Sequence, residues 1–255
     1  MTDRAIVEPL IELDLSFELP AENLAYDEAL LVEHQRAHDR WERGEGERPP
    51  ELLRFWESPV PFVVMGVAGK VAEEVFEERC RERGISVLRR ASGGGTVVQG
   101  PGCLNYALIL CTERRPELRN FTRSYREILG RVATAVGEGA PAGISDLATD
   151  GVKFSGNAQK RKRTSLLHHG TLLYDFALDT IEGVLPEPAV RPDYRGERPH
   201  RGFVRNLDRS PNQLRSGLAA AWDARPGAVP FVDADSTMVE LIEEKYGNRE
   251  WTHRF

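Results

Sequence analysis

The chain has 255 residues, of which 40% are hydrophobic and 29% charged, and its formal net charge is −6. That is the make-up of a soluble globular protein with enough chain for a sizeable core, and the acidic balance argues against general nucleic-acid binding. No apolar run is long enough to cross a bilayer, and residues 1–9 lack the apolar stretch of a signal peptide, so the cytoplasm is the expected compartment. Cys80, Cys103 and Cys111 are odd in number and have no metal-like spacing, which argues against a disulfide framework or a cysteine zinc site.

Residues 11–17 read as a first strand, with Leu13, Leu15 and Phe17 on one face and Pro20 as its stop. From Asn23 to about Arg40, Leu24, Ala25, Ala29, Leu31 and Val32 follow helical spacing, with Glu22, Asp27 and Glu28 near the positive end. Residues 42–50 are charged and rich in Gly and Pro, which predicts an exposed, mobile loop. Short apolar strands are expected over 52–56 and 62–65. The pattern over 71–83 predicts one amphipathic helix, with Val71, Val75, Phe76 and Cys80 inward and Gly84 closing its end.

Next comes Arg89-Arg90-Ala91-Ser92-Gly93-Gly94-Gly95-Thr96-Val97-Val98, between strand-like runs at 85–88 and 103–110. Successive glycines let backbone N–H groups approach a ligand closely, and guanidinium groups suit phosphate or carboxylate. The loop therefore reads either as an anion cradle or as a glycine-rich turn with two solvated arginines. No Gly-Lys-Ser or Gly-Lys-Thr follows, so it is not a P-loop; a strand follows instead of a helix, so it is not the dinucleotide fingerprint. Residues 103–111 are apolar on both faces and predict a central strand, in which Asn105 needs partners and Cys103 and Cys111 are small packing residues.

A long helix is expected over 121–136 and a loop over 137–143. Asp150-Gly151 signals a hairpin between 144–149 and 152–159. Strict alternation in the second strand puts Lys153, Ser155, Asn157 and Gln159 on one face, with Val152, Phe154, Gly156 and Ala158 on the other. The polar face reads as a wet outer surface or, since three of its side chains are neutral hydrogen-bonding groups, as a pocket wall holding a single cation. Residues 160–163 form a basic turn, either a solvated hairpin tip or a contact for an acidic partner or phosphate. In the returning strand 165–174, His168 and His169 point to opposite faces, so at most one joins Lys153 unless a bulge intervenes, and the other is structural. The stretch 182–201 reads as irregular and mobile; 203–207 returns to order. Closing helices are expected over 211–222 and 233–245, with Ser236 a candidate N-cap for the second. There is no internal repeat, and residues 1–255 read as a single domain.

Several of these motifs occur together in one order: Asn23-Leu24-Ala25 with Asp27-Glu28, 89–95, Gly102 with Leu104-Asn105-Tyr106, Asp146-Leu147, 150–159, His168-His169-Gly170-Thr171-Leu172-Leu173, and Val204-Arg205-Asn206-Leu207. In this the sequence resembles the lipoate–protein ligase family of the biotin/lipoate ligase and octanoyltransferase superfamily. The resemblance implies an α/β (α+β) fold, a mixed central β-sheet flanked by helices. It implies reaction of lipoate with ATP, assisted by Mg2+, to give lipoyl-AMP, then transfer of the lipoyl group to a lysine of an acceptor carrier domain. By position, Lys153 would contact the carboxylate and α-phosphate oxygens, and Asp146 would help hold the nucleotide or Mg2+. Arg90, Ser92, Gly93, Gly94, Gly95, Thr96, Val97 and Val98 would line the nucleotide and acyl site. Asn105, Ser155, Gly156, Ala158, His169, Gly170 and Thr171 would complete it.

The rival in the superfamily is an octanoyltransferase, which carries the acyl group on a cysteine and needs no ATP. Residues 112–255 contain no cysteine, so the places where relatives carry that nucleophile are empty, which favours the ligase. A non-catalytic lipoate-binding protein is a third class, disfavoured by the presence of both the arginine–glycine loop and Lys153. Longer ligases carry a C-terminal accessory domain, for which 255 residues leave no room, so the expectation is a separate accessory-domain protein or a compact form that manages alone.

Overall fold

The structure, a computed structural model, describes residues 8–255. Strand β1 (Leu10–Asp14) leads into helix α1 (Pro20–Glu42), then β2 (Leu52–Trp56) and β3 (Phe62–Met65). Two short helices, α2 (Val71–Glu74) and α3 (Glu77–Glu82), precede β4 (Ser86–Arg89), β5 (Val97–Gln99) and β6 (Cys103–Cys111). After α4 (Phe121–Val136) come β7 (Ala140–Ala142), β8 (Asp146–Thr149), β9 (Val152–Arg161) and β10 (Ser165–Leu173). The chain ends through α5 (Asp179–Val184), α6 (His200–Phe203), α7 (Pro211–Trp222), β11 (Ala224–Pro226), α8 (Ala234–Leu241), a π-helical turn (Ile242–Tyr246) and α9 (Arg249–Thr252).

Eight strands form a mixed sheet in the order β11-β1-β2-β6-β10-β9-β8-β7, and a smaller sheet runs β4-β3-β5. All nine residues of β6 are buried, as a strand with apolar residues on both faces requires. Its Leu104, Tyr106, Leu108 and Leu110 pack under α4 and α7, through Ile128, Leu129, Val132, Leu214 and Leu218. Ala107 and Ile109 face the opposite layer, where Tyr26, Leu30 and Leu31 of α1 and Ala234 of α8 cover the sheet. The fold is thus a mixed central sheet flanked by helices. Among the described residues no helix is long and apolar enough to cross a membrane.

Local chemistry accounts for the element ends. Asn120 caps α4 by accepting from the Arg123 N–H at 2.9 Å, and Gly137 at φ 82° closes it. Asp150 (φ 52°) and Gly151 (φ 72°) make the β8–β9 hairpin turn expected of Asp-Gly. Pro20 starts α1 at its first turn, and strand β1 has already stopped at Asp14.

Five expectations change. The single helix over 71–83 is broken, because the Phe76 N–H bonds the Val184 carbonyl at 2.8 Å instead of continuing the α2 ladder, while Val75 is extended. Residues 97–99 and 140–142, read as loop, pair as short strands. Asp233, not Ser236, is the N-cap of α8; the Ser236 hydroxyl donates to the Asp233 carbonyl from inside the helix. The stretch 182–201 is irregular but packed, with Arg195 buried and ion-paired to Glu187 at 2.6 Å. The 160–163 turn is tied down as well: Arg161 donates to the Leu118 carbonyl and the Ser124 hydroxyl, and Arg163 pairs with Asp39 and Glu42.

Candidate active site

A cavity of about 970 Å³ lies where the two sheets meet, roofed by residues 185–195. The glycine loop contributes Arg90 and 94–98, β6 gives Asn105, and β8 gives Asp146. From β9 come Lys153, Ser155, Gly156, Asn157 and Ala158; from β10 come His169, Gly170 and Thr171. Ser92 and Gly93 stand outside the lining, Ser92 buried behind it and Gly93 exposed.

The arginines of this loop are not solvated, which excludes the exposed-turn reading, and they are not free to reach a ligand, so a cradle here would have to use backbone. Both guanidinium groups are buried and spent on the protein's own carbonyls and, for Arg90, the Ser92 hydroxyl. Arg89 donates to Gly66, Val67, Gly69, Trp251 and Thr252. Arg90 donates to Gly93 (2.6 Å), Gly95 (2.9 Å) and Val64 (3.2 Å), and burial brings its pKa down to about 10. The arginines therefore brace the loop from behind. With the Gly93 and Gly95 carbonyls drawn back onto Arg90, the N–H groups of 93–96 donate no hydrogen bond among the described residues. A run of free backbone N–H groups can form an anion-binding concavity, so what this loop has left to offer an anion is main-chain N–H and not guanidinium. Thr96 is anchored at the loop's far end by its hydroxyl bond to Glu74 at 2.5 Å.

Lys153 is the cation in the opposing wall. Its Nζ lies 2.7 Å from Asp146 Oδ1, and Tyr194 from the roof donates to Asp146 Oδ2 at 2.7 Å. Burial first, and that carboxylate second, raise the Tyr194 pKa. Gly156 leaves the space the ammonium uses, since a Cβ there would stand 3.1 Å from Nζ. The Arg205 N–H bonds the Lys153 carbonyl at 2.8 Å and fixes the backbone beneath it.

The face assignment along β9 is corrected. Leu147 pairs with Ser155 but Ala148 pairs with Lys153, so Phe154 is an extra residue in a β-bulge. Beyond it the phase reverses. Lys153, Gly156 and Ala158 share the cavity side with His169, the strand partner of Ala158. Gln159 turns toward α4 instead, where it bonds the Ser124 hydroxyl at 3.1 Å and His168 Nδ1 at 3.0 Å, while Asn157 stays among the cavity residues and accepts from Tyr106 Oη at 2.5 Å. Asn157 also donates to Ser155 Oγ at 3.1 Å, which ties these two cavity residues together. His168 is fully buried there, and desolvation pushes its pKa down to about 3, so it is the structural histidine.

His169 is held at both ring nitrogens. Its Nδ1 lies 3.5 Å from Asp27 Oδ2 and its Nε2 lies 2.7 Å from Ser92 Oγ. Arg90 Nε donates to the same Ser92 oxygen at 3.1 Å, so the loop and the ring are fixed together. Asp27 in turn accepts from Arg54 at 2.7 Å and from Trp56 at 3.3 Å.

The sequence reading missed Trp56 and Tyr194 as cavity residues and took Asp27 only as a charge near a helix end. Arg54 alone in Leu52-Leu53-Arg54-Phe55-Trp56 and Asp27 beside the buried Tyr26 signal each other, since a charge in an apolar run needs an opposite partner. Tyr194 reaches Asp146 across 48 positions and leaves no local signal.

The three cysteines are free and buried. Cys103 is fully buried in the small-sheet core, and desolvation pushes its pKa up to about 12, which makes it a packing residue and a poor nucleophile.

Comparison with known proteins gives the same picture of kinship. The chain is 27% identical over 205 residues to lipoate-protein ligase LplJ of Bacillus subtilis (strain 168), covering 76% of this chain but only 62% of that protein. It is 25% identical over 276 residues to octanoyltransferase LipM of Moorella thermoacetica, covering 95% of this chain and 97% of that one. In structure it resembles the bi-partite lipoate protein ligase of Thermoplasma acidophilum, solved as part of an archaeal lipoylation system with its E2 lipoyl domain, at a TM-score of 0.79 and 23% identity over 96% of each chain. Residues 19–215 match the lipoyl protein ligase A/B catalytic domain as a family, and with the fold and cavity described above the chain belongs to that family.

Proposed function

We propose that the chain is the catalytic unit of an ATP-dependent lipoate–protein ligase. The observation that carries this reading is Lys153, an ammonium in the wall of the cavity that the glycine loop also lines, with no accessible cysteine. In the first half-reaction a lipoate carboxylate oxygen attacks the α-phosphorus of ATP and pyrophosphate leaves, giving lipoyl-AMP. In the second, the amine of an acceptor lysine attacks the acyl carbonyl, AMP leaves, and the amine loses a proton. Negative charge builds on the α-phosphate in the first step and on the acyl oxygen in the second. An ammonium fixed beside both stabilises these transition states more than the ground state.

Lys153 pairs with Asp146 before substrate binds. With substrate in place, Nζ exchanges that carboxylate for the carboxylate and α-phosphate oxygens. Asp146 then suits Mg2+, which takes one or two carboxylates and draws its other ligands from phosphates and water. The metal supplies charge compensation for the pyrophosphate leaving group. Apolar cavity residues, among them Leu173, Ile181, Leu185 and Phe203, suit the lipoate tail. The partner is a carrier domain bearing the acceptor lysine, with a separate accessory protein as a further partner.

Mixing the protein with lipoate and Mg·ATP tests the reading: pyrophosphate release with enzyme-bound lipoyl-AMP supports it. An acyl thioester formed from an octanoyl donor and lost in Cys103→Ala, with no adenylate, would replace it by the cysteine transferase that the LipM similarity makes the second reading. Two variants probe the details. Tyr194→Phe removes the hydroxyl bond to Asp146 and is expected to lower kcat/KM for Mg·ATP by about tenfold, the worth of one bond to a charged group. Gly66→Ala puts a Cβ 1.9 Å from the Gly94 carbonyl oxygen, forcing the N–H loop away. Steady-state kinetics should give a loss of about tenfold or more in kcat/KM, since small displacements of positioning groups are costly.

A further inference from the structure

At the far end of β9 and β10 from the cavity, His38 of α1 is fully buried and neither of its ring nitrogens makes a hydrogen bond. Buried polar groups nearly always have a partner, so a doubly orphaned imidazole calls for one. Two carboxylates converge on it: Glu113 Oε2 stands 3.4 Å from Nε2, and Glu42 Oε1 stands 3.9 Å from Nδ1. One ligand atom from each of the three residues lies within 4.8 Å of the other two. Trp41 packs edge-on against the imidazole at 5.2 Å and holds its plane. From these observations we propose a second site, in which His38, Glu113 and Glu42 bind a divalent transition cation of the zinc type.

The geometry suits the ion. In a tetrahedral site with bonds of roughly 2.0–2.1 Å, neighbouring ligand atoms stand about 3.4 Å apart, as Glu113 Oε2 and His38 Nε2 do. An imidazole with carboxylates favours zinc or a neighbouring transition metal over Mg2+ or Ca2+, which prefer all-oxygen sets. Glu42 and Glu113 have side chains 35% exposed, which gives a path from solvent and room for Glu42 to swing toward Nε2. Arg163 donates to both Glu42 oxygens, to Oε1 at 3.2 Å, and also pairs with Asp39, so the ion would take Glu42 in competition with that guanidinium. Arg163 stays as a neighbour that offsets the negative charge of the cluster. Bound there, the ion would tie the C-terminal end of α1 to the segment after β6. The site stands apart from Lys153 by most of the length of β9, on the order of 25 Å for eight residues of strand.

The test uses tag-free, chelator-treated full-length protein with ZnCl2 or MgCl2 alone, read by calorimetry and thermal melting. The site predicts about one zinc per chain, a rise in Tm with Zn2+ and none with Mg2+. Glu113→Gln, at a partly exposed position, keeps the fold and should weaken zinc binding about tenfold or more, and Glu42→Gln should do the same. Co2+ loaded in place of zinc should give visible bands without a thiolate charge-transfer band. Equal zinc affinity in wild type and Glu113→Gln would overturn the proposal, as would a thiolate band. A cluster that responds to acid alone, a proton joining His38 to the two carboxylates with no response to metal, would overturn it too.

Discussion

Replacing Lys153 with alanine is expected to slow acyl-adenylate formation by about a thousandfold or more, the scale on which removing one fixed charge or donor from a transition state is felt. The fold should persist, because the side chain is 22% exposed and its one ion pair, to Asp146, lies at the cavity edge. The loss should fall on kcat more than on KM, since lipoate's apolar tail and the nucleotide keep their other contacts while the transition-state charge loses its partner. Lys153→Arg should rescue little. A guanidinium is planar and larger, and Gly156 leaves space measured to an ammonium, 3.1 Å from the point a Cβ would occupy. Pre-steady-state measurement of lipoyl-AMP, with melting curves for each variant, separates the chemical defect from a folding one.

Arg54→Ala carries the largest expected cost in stability, about 3–5 kcal/mol, the range for breaking a buried ion pair. Arg54 is wholly buried and Asp27 nearly so. The guanidinium donates to Asp27 Oδ1 at 2.7 Å, to the Asn23 carbonyl and side chain at 2.9 Å each, and to the Leu15 carbonyl at 3.0 Å. Truncation strands an anion and three acceptors and opens a void against the Tyr26 ring, over which the guanidinium lies at 5.0 Å. A drop in Tm of about 10 °C follows for a chain of this size. Replacing both partners with apolar residues, as in Arg54→Met with Asp27→Leu, should recover part of that loss, because no charge is then left alone. It should not restore activity, since His169 would lose the carboxylate that orients it. Urea unfolding of the two variants side by side checks both statements.

Where the chain writes its pattern locally, the sequence was enough to place the structure. Strands β2 and β3, helices α4 and α7 and the Asp150-Gly151 turn fall where periodicity and turn chemistry put them, because each is decided by neighbours a few positions away. The central place of β6 followed from its two apolar faces. What was illegible depends on distant partners. The bulge at Phe154 is set by pairing with β8, and it reverses the side on which Gln159 falls. The break between α2 and α3 is set by a carbonyl of α5. Arg89 and Arg90 look like free cations in a glycine-rich loop, and only the packed C-terminal segment and the folded-back carbonyls turn them into internal braces. The roof residue Tyr194 lies in a Pro- and Arg-rich stretch with no periodicity, yet it bonds directly to the carboxylate beside Lys153.

A crystal of the protein soaked with lipoate and Mg·ATP tests the central claim most directly. The account predicts lipoyl-AMP in the cavity, with Lys153 Nζ withdrawn from Asp146 and within hydrogen-bond distance of the acyl carbonyl and α-phosphate oxygens, and with N–H groups of residues 93–96 on the ligand. An acyl-nucleotide bound away from Lys153, or an ammonium still paired to Asp146 with the ligand in place, would contradict it.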